Sequence, residues 1–336
     1  MASRATTAAL GAVLALALAG CSGAASGSSS SGPGQSEVTV VATTSIWGDI
    51  TGQVVECAGS GELTTLMPVG TDPHDYVPSS QDMVRIESAD LVIANGLGLE
   101  EGLAHSLEAA ERDGATVLEV APLLDPLPFG NGTSPAQAGQ QGTGPTDGPT
   151  DATADPTHDA GALDPHVWQE VARVSRAAAL IGDRLTSETG EAGFAECGSQ
   201  LAAELTTLDG QVAATLAKVP PDRRILVTDH DALGYLAAAY GYTVAGTVVP
   251  GGSTLAEPSS AGLAALAGTV RETGVPAIFA NPANPQVLVA ALASEVGDIE
   301  VVELYVDGLG EPGSGADTYQ GLMTTNAGRI ADALAG

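Results

Sequence analysis

Five histidines occur among 336 residues, and two of them sit in near-identical settings: His74 in TDPHDY and His166 in LDPHVW. Proline fixes its own φ and pushes the residue before it to extended backbone, so Asp-Pro-His presents its imidazole from a stiff segment. Stiff presentation suits a metal ligand that must hold its place when no ion is bound. Two more residues occupy comparable positions: His230, directly after the strand-like ILVTD, and Asp307, between VVELYV and GLG. Ligands of open parallel sheets bind beyond the carboxyl ends of the strands. Three imidazoles and one carboxylate make a complete tetrahedral set for a divalent transition metal.

Each of the four also has an ordinary reading, as a satisfied polar side chain or a turn residue. Asp164 in particular reads as a helix N-cap, with Pro165 at the first helical position. The joint pattern favours a ligand set. A helix start beside His166 disfavours imidazolium and keeps the ring in its metal-binding form. Asp72, Asp75, Asp164, Asp229 and Asp231 are all candidates to accept the second ring N–H of a ligand, and the sequence leaves the choice open. His105 reads as an exposed helix residue. His158 reads as a loop residue able to help collect metal.

The elements that must position these residues alternate. VTVVATTS, LTTLMPV, DLVIANG and ATVLEVA have the β-branched character of strands, separated by the helical stretches IWGDITGQVVE, SSQDMVRIESA and LEEGLAHSLEAAERDG. After a segment rich in Gly, Pro, Thr and Asp, over 130–161, a long helix is expected from Asp164, and a second helical stretch over 200–216. The stripe of Val167, Val171, Val174, Ala178, Ile181 and Leu185 makes the first of these amphipathic. Strand–helix alternation then resumes to the C-terminus, including NPQVLVAALASEVG with Asn284 as cap and Pro285 at its first position. The expected fold is α/β: two lobes with mostly parallel sheets covered by helices, bridged by one long helix. The expected boundaries are 37–163 for the first lobe with its low-complexity loop, 164–190 for the bridging helix and 191–336 for the second lobe.

The N-terminus reads as a secretory signal over 1–20: Arg4, an apolar run, then LAGC, which resembles a bacterial lipobox. That resemblance implies cleavage before Cys21, lipidation of the new terminal cysteine and a flexible tether over 21–36, on the extracytoplasmic face of the membrane. Cys57 and Cys197 remain as an even pair and a candidate disulfide in an oxidising compartment. A formal charge of -30 argues against nucleic acid and anionic lipid as partners.

Signatures in this order, PHDYVPSSQDMVRIESADLVIANGLGLE, DPHVW, VTDHDALGYLAAAYG and LYVDGLG…YQGLMTTN, resemble the solute-binding proteins of bacterial ABC importers for zinc and manganese. The resemblance implies a monomeric receptor that is no enzyme, with metal held in the cleft between lobes by His74, His166, His230 and Asp307. It also implies delivery of the metal to a permease and its ATPase. Three imidazoles with one carboxylate suit zinc, with manganese as the alternative cargo. The chain departs from the family's pattern in two places: the loop before DPHVW is acidic, offering only His158, and Asn281 stands where an acidic residue is common. An extracytoplasmic zinc hydrolase with Asp231 as base is a rival from another class, but four protein ligands would close the coordination shell that hydrolysis needs open. A metal-scavenging or adhesive surface protein on the same fold is a second rival.

Overall fold

The strand-like runs fold into two four-stranded parallel sheets. The structure, a computed structural model, describes residues 38–130, 162–284, 286–297 and 299–335. In the first lobe, β1 (Thr39–Ala42), β2 (Glu62–Thr65), β3 (Leu91–Ala94) and β4 (Val117–Glu119) pair in the order β2-β1-β3-β4. In the second, β5 (Ile225–Thr228), β6 (Thr243–Thr247), β7 (Ala277–Ala280) and β8 (Glu300–Glu303) pair as β6-β5-β7-β8. The two lobes therefore repeat one topology, with its strand-order reversal at β1/β3 and again at β5/β7. Central strands β3 and β7 are buried along their whole length, as strands covered on both faces must be.

Local signals explain the helix ends in the first lobe. Thr44 caps α1 (Ser45–Ala58) by accepting from the Trp47 N–H, and Gly59 ends it in the left-handed conformation at φ 65°. Ser79 and Asp82 form a reciprocal capping box on α2 (Ser80–Ser88). α3 (Ala104–Arg112) completes that layer and carries His105 exposed. The second lobe is covered by α6 (Gly234–Tyr240), α7 (Ser260–Thr273), α8 (Val287–Val296) and α9 (Tyr319–Ala335).

Between the lobes lies a helical pair, α4 (Val171–Thr189) and α5 (Gly193–Leu216). A Cβ on Gly182 would fall 2.5 Å from the Phe194 carbonyl oxygen, and one on Gly198 would fall 2.6 Å from that of Ala178. Glycine at both positions is what lets the two backbones approach so closely. The long helix between the lobes is α5, with α1 of one lobe and α9 of the other packed against it. One continuous apolar core runs through Trp47, Ile50, Ile181, Leu205, Tyr319 and Leu322, while the outer face of each sheet has a smaller core of its own. Cys57 on α1 and Cys197 on α5 are joined in a disulfide, with Cα atoms 5.9 Å apart.

Helix starts differ from the sequence expectation: α5 begins at Gly193 rather than near 200, and two expected caps go unused. The helix expected from Asp164 begins at Val171, after a 3-10 turn over Val167–Gln169. Asp164 cannot cap it, because its carboxylate is engaged by the backbone and ring of His166. The stripe from Val167 to Leu185 is nonetheless buried as its spacing predicts. α8 starts at Val287 with Gln286 before it, and the Asn284 amide turns instead to Asp229. Pro285, residues 1–37 with Cys21, and residues 131–161 with His158 lie outside the described residues. Among the described residues no helix is long and apolar enough to cross a membrane.

Candidate metal centre

His74, His166, His230 and Asp307 converge between the lobes, and all four are buried. Each offers one ligand atom, and these atoms lie within 4.8 Å of one another. The edges of a tetrahedron with zinc–nitrogen bonds are about 3.4 Å, so closing on an ion requires each pair of donors to draw together by at most about 1.4 Å. The Nε2 atoms of His74, His166 and His230 and the Oδ1 atom of Asp307 are all buried without a hydrogen-bond partner. A buried polar atom left unpaired costs about 1–3 kcal/mol, so the Nε2 atoms of His74 and His166 call for a shared ligand beside the His230–Asp307 pair.

Local chemistry sets each side chain. In both Asp-Pro-His turns the aspartate Oδ1 accepts the histidine N–H at 2.9 Å, from His74 to Asp72 and from His166 to Asp164. Asp164 Oδ1 also lies 2.7 Å from His166 Nδ1, which fixes that proton on Nδ1 and leaves Nε2 for the metal. Asp229 treats His230 the same way, taking its N–H at 2.9 Å and its Nδ1 at 3.0 Å. Its other oxygen accepts the Asn281 N–H and the Asn284 amide. Asp307 follows β8 by four residues. The carbonyl before it, on Val306, is held by Trp168 Nε1 at 2.8 Å and Gln169 Nε2 at 2.9 Å, so the segment that carries His166 also places Asp307. Of the five acidic candidates for the second ring N–H, two serve, Asp164 and Asp229. Asp72 instead spans to the other lobe, where Thr254 Oγ1 donates to its Oδ2 at 2.5 Å.

The charges are arranged in advance. Burial, then the two neighbouring rings, hold the His166 imidazole well below its ordinary range, so it is neutral. Burial pulls His230 the same way, but the Asp307 and Asp229 carboxylates outweigh it and raise the ring well above that range. Asp307 is pushed down in turn: burial opposes its charge, and His230 more than compensates. His230 Nε2 and Asp307 Oδ1 thus form an ion pair at 3.3 Å. A cation bound through His230 Nε2 would have to displace that proton. Asp231, next in the chain, is lifted to about 7 by burial and by the Asp164 charge.

Asn281 and Thr254 are positioning residues that carry no ligand-type signal in the sequence. Asn281 stands just past the end of β7, beside β5 and β8, where the rule for ligands at strand ends would have placed it. Thr254 could not be found without the fold.

The chain is similar to known proteins over most of its length. Residues 40–333 match the family described as zinc-uptake complex component A, periplasmic. The zinc-binding protein TroA of Treponema pallidum is 30% identical over 288 residues, 82% of this chain and 83% of that one. The manganese-binding lipoprotein MntA of Halalkalibacterium halodurans is 26% identical over 324 residues, 96% of each chain. The structure of the periplasmic zinc-binding protein TroA from Treponema pallidum superposes with a TM-score of 0.73 at 28% identity, covering 89% of this chain and 99% of that one.

Proposed function

The chain belongs to the zinc-uptake complex component A family, and from that premise we propose that it is an extracytoplasmic receptor that captures zinc between its lobes and delivers it to an ABC permease and its ATPase. His74, His166 and His230 bind the ion through Nε2 and Asp307 binds it through Oδ1. One observation carries this reading: each of these four buried residues offers a ligand atom, and the four atoms lie within 4.8 Å of one another.

The donor set favours zinc, since three imidazoles and a single carboxylate suit a borderline ion while harder ions seek more oxygen. Manganese is the second reading, supported by a relative named for manganese binding that matches over 96% of the chain. No catalytic role follows from the centre, because four side chains fill a tetrahedral shell and leave no open position for a reacting water. Relatives are named lipoproteins, which supports anchoring through Cys21, with the receptor acting as a monomer on its tether. The expected organisation (a first lobe over 37–163, a bridging helix over 164–190 and a second lobe over 191–336) belongs to the same proposal, with α5 packed beside that helix and sharing the bridge.

Metal content and zinc–manganese competition, measured on the wild type and on His230→Ala, test it. The wild type should retain one ion per chain and prefer zinc. The variant should lose more than about 100-fold in zinc affinity, beyond the loss typical for an outer-sphere residue. Unchanged affinity in the variant would remove His230 from the centre.

A further inference from the structure

Asn281 shapes the acid ligand rather than the histidines. Its Oδ1 accepts the backbone N–H of Ala283 at 3.3 Å. A main-chain N–H can only donate, so the amide is oriented without ambiguity and its Nδ2 faces Asp307. Nδ2 donates to Asp307 Oδ2 at 2.5 Å, while Oδ1 of the same carboxylate is buried and faces His230 Nε2 at 3.3 Å. One oxygen is taken and one is offered. The main-chain N–H of Asn281 also reaches Asp229 Oδ2 at 2.9 Å, and Asp229 Oδ1 orients His230. A single residue at the end of β7 therefore ties together both ligands of the second lobe.

We propose that Asn281 sets the metal preference of the centre: by occupying Oδ2 it holds Asp307 to a single metal bond, keeps the coordination number at four and so disfavours manganese. This rests on the reading of His74, His166, His230 and Asp307 as the ligands. A carboxylate free to bind through both oxygens would add a fifth donor, and an oxygen. Zinc is content with four mixed ligands in a tetrahedron, whereas manganese seeks more donors and more oxygen among them. The amide of an asparagine is a donor aimed at the carboxylate; an ionised acidic residue in its place could only compete with that carboxylate or ligate the metal itself.

Asn281→Asp is the sharper variant, because it keeps the side-chain shape and the acceptor for Ala283 while removing the N–H donor. Asn281→Ala is the second, and thermal melting of both checks that they fold. On the full chain stripped of metal, zinc and manganese affinities are measured by competition, and the zinc site of the wild type is examined by X-ray absorption. The ratio of zinc to manganese affinity should fall about tenfold or more in each variant, within the range for residues that orient ligands. The wild-type zinc spectrum should fit four donors with a one-oxygen carboxylate. A ratio within about twofold of wild type in the folded variants, both metals weakening alike, would make Asn281 merely structural and overturn the proposal. A wild-type spectrum with both Asp307 oxygens on zinc would overturn it without any variant. Asp307→Ala separates the two levels: unchanged zinc affinity there removes the ligand set itself, while a loss there beside an unchanged ratio at Asn281 sinks only the role given to Asn281.

Discussion

The second lobe holds its proposed ligands more tightly than the first, although the two sheets share one strand order. His230 is fixed by Asp229, which is itself fixed by Asn281 and Asn284, and Asp307 is fixed by Asn281 and by the grip on the Val306 carbonyl. His74 has only its main-chain N–H secured. Both of its ring nitrogens lack a hydrogen-bond partner, and the acidic oxygen paired with Nδ1, Glu101 Oε1, is 3.8 Å away. The two Asp-Pro-His turns differ in the same direction, since Asp164 supports the ring of its histidine while Asp72 reaches across the cleft to Thr254. An incoming ion would thus find three ligands set by the junction and the second lobe, with His74 closing last. One large shared core and α5 pack the two lobes against each other.

Breaking the rigid side should have the largest effect. Asp229→Ala removes the acceptor that fixes His230 and leaves the Asn281 and Asn284 donors unpaired. Zinc affinity by competition should fall about 100-fold, at the upper end for ligand-orienting residues. A loss no greater than that of Thr254→Val would erase the asymmetry between the lobes.

Acidity should act next, and through the same lobe. His230 is raised above the ordinary imidazole value of 6.5, so it is protonated in the metal-free protein near neutrality and must release that proton on binding. Below the raised value, zinc affinity should weaken about tenfold per pH unit for that one proton, and it should recover as pH rises. Calorimetry in buffers of different ionisation enthalpy should register at least one proton released per ion at pH 7. A binding constant flat from pH 6 to pH 8 would count against the His230–Asp307 pair. His166, held neutral by burial, should add to the loss only at much lower pH.

The smallest effect belongs to the loose side. Thr254→Val keeps the shape and removes the hydroxyl that reaches Asp72 from the other lobe. The His74 ring has no partner to lose, so equilibrium affinity should change only a few-fold, less than for an orienting residue. Stopped-flow chelation should show the change in the rate of metal release, and Thr254→Ser should restore it. A loss as large as that of Asp229→Ala would mean that the cross-lobe bond fixes His74 as firmly as Asp229 fixes His230.

The four proposed ligands stood out because imidazole is rare in this chain and each candidate followed a strand or an Asp-Pro pair; the structure brings those four side chains together. The sheets were legible from β-branched runs at regular spacing. The start of α4 was not, because Asp-Pro is also a good helix start, and only the fold reveals that the ring of His166 competes for Asp164 and wins. Asn281 was visible as a departure from a family pattern but without a role, since its partner lies 26 positions away, past the neighbouring strand. Thr254 depends on the opposite lobe and left no trace in the sequence.

The most direct test is a crystal of the zinc-loaded protein with anomalous scattering recorded at the zinc edge. A single strong peak is predicted at the seam of the lobes, about 2.0–2.2 Å from three imidazole Nε2 atoms and from one oxygen of Asp307. A peak on surface carboxylates, or one at the seam with His230 or Asp307 turned away, would contradict the account.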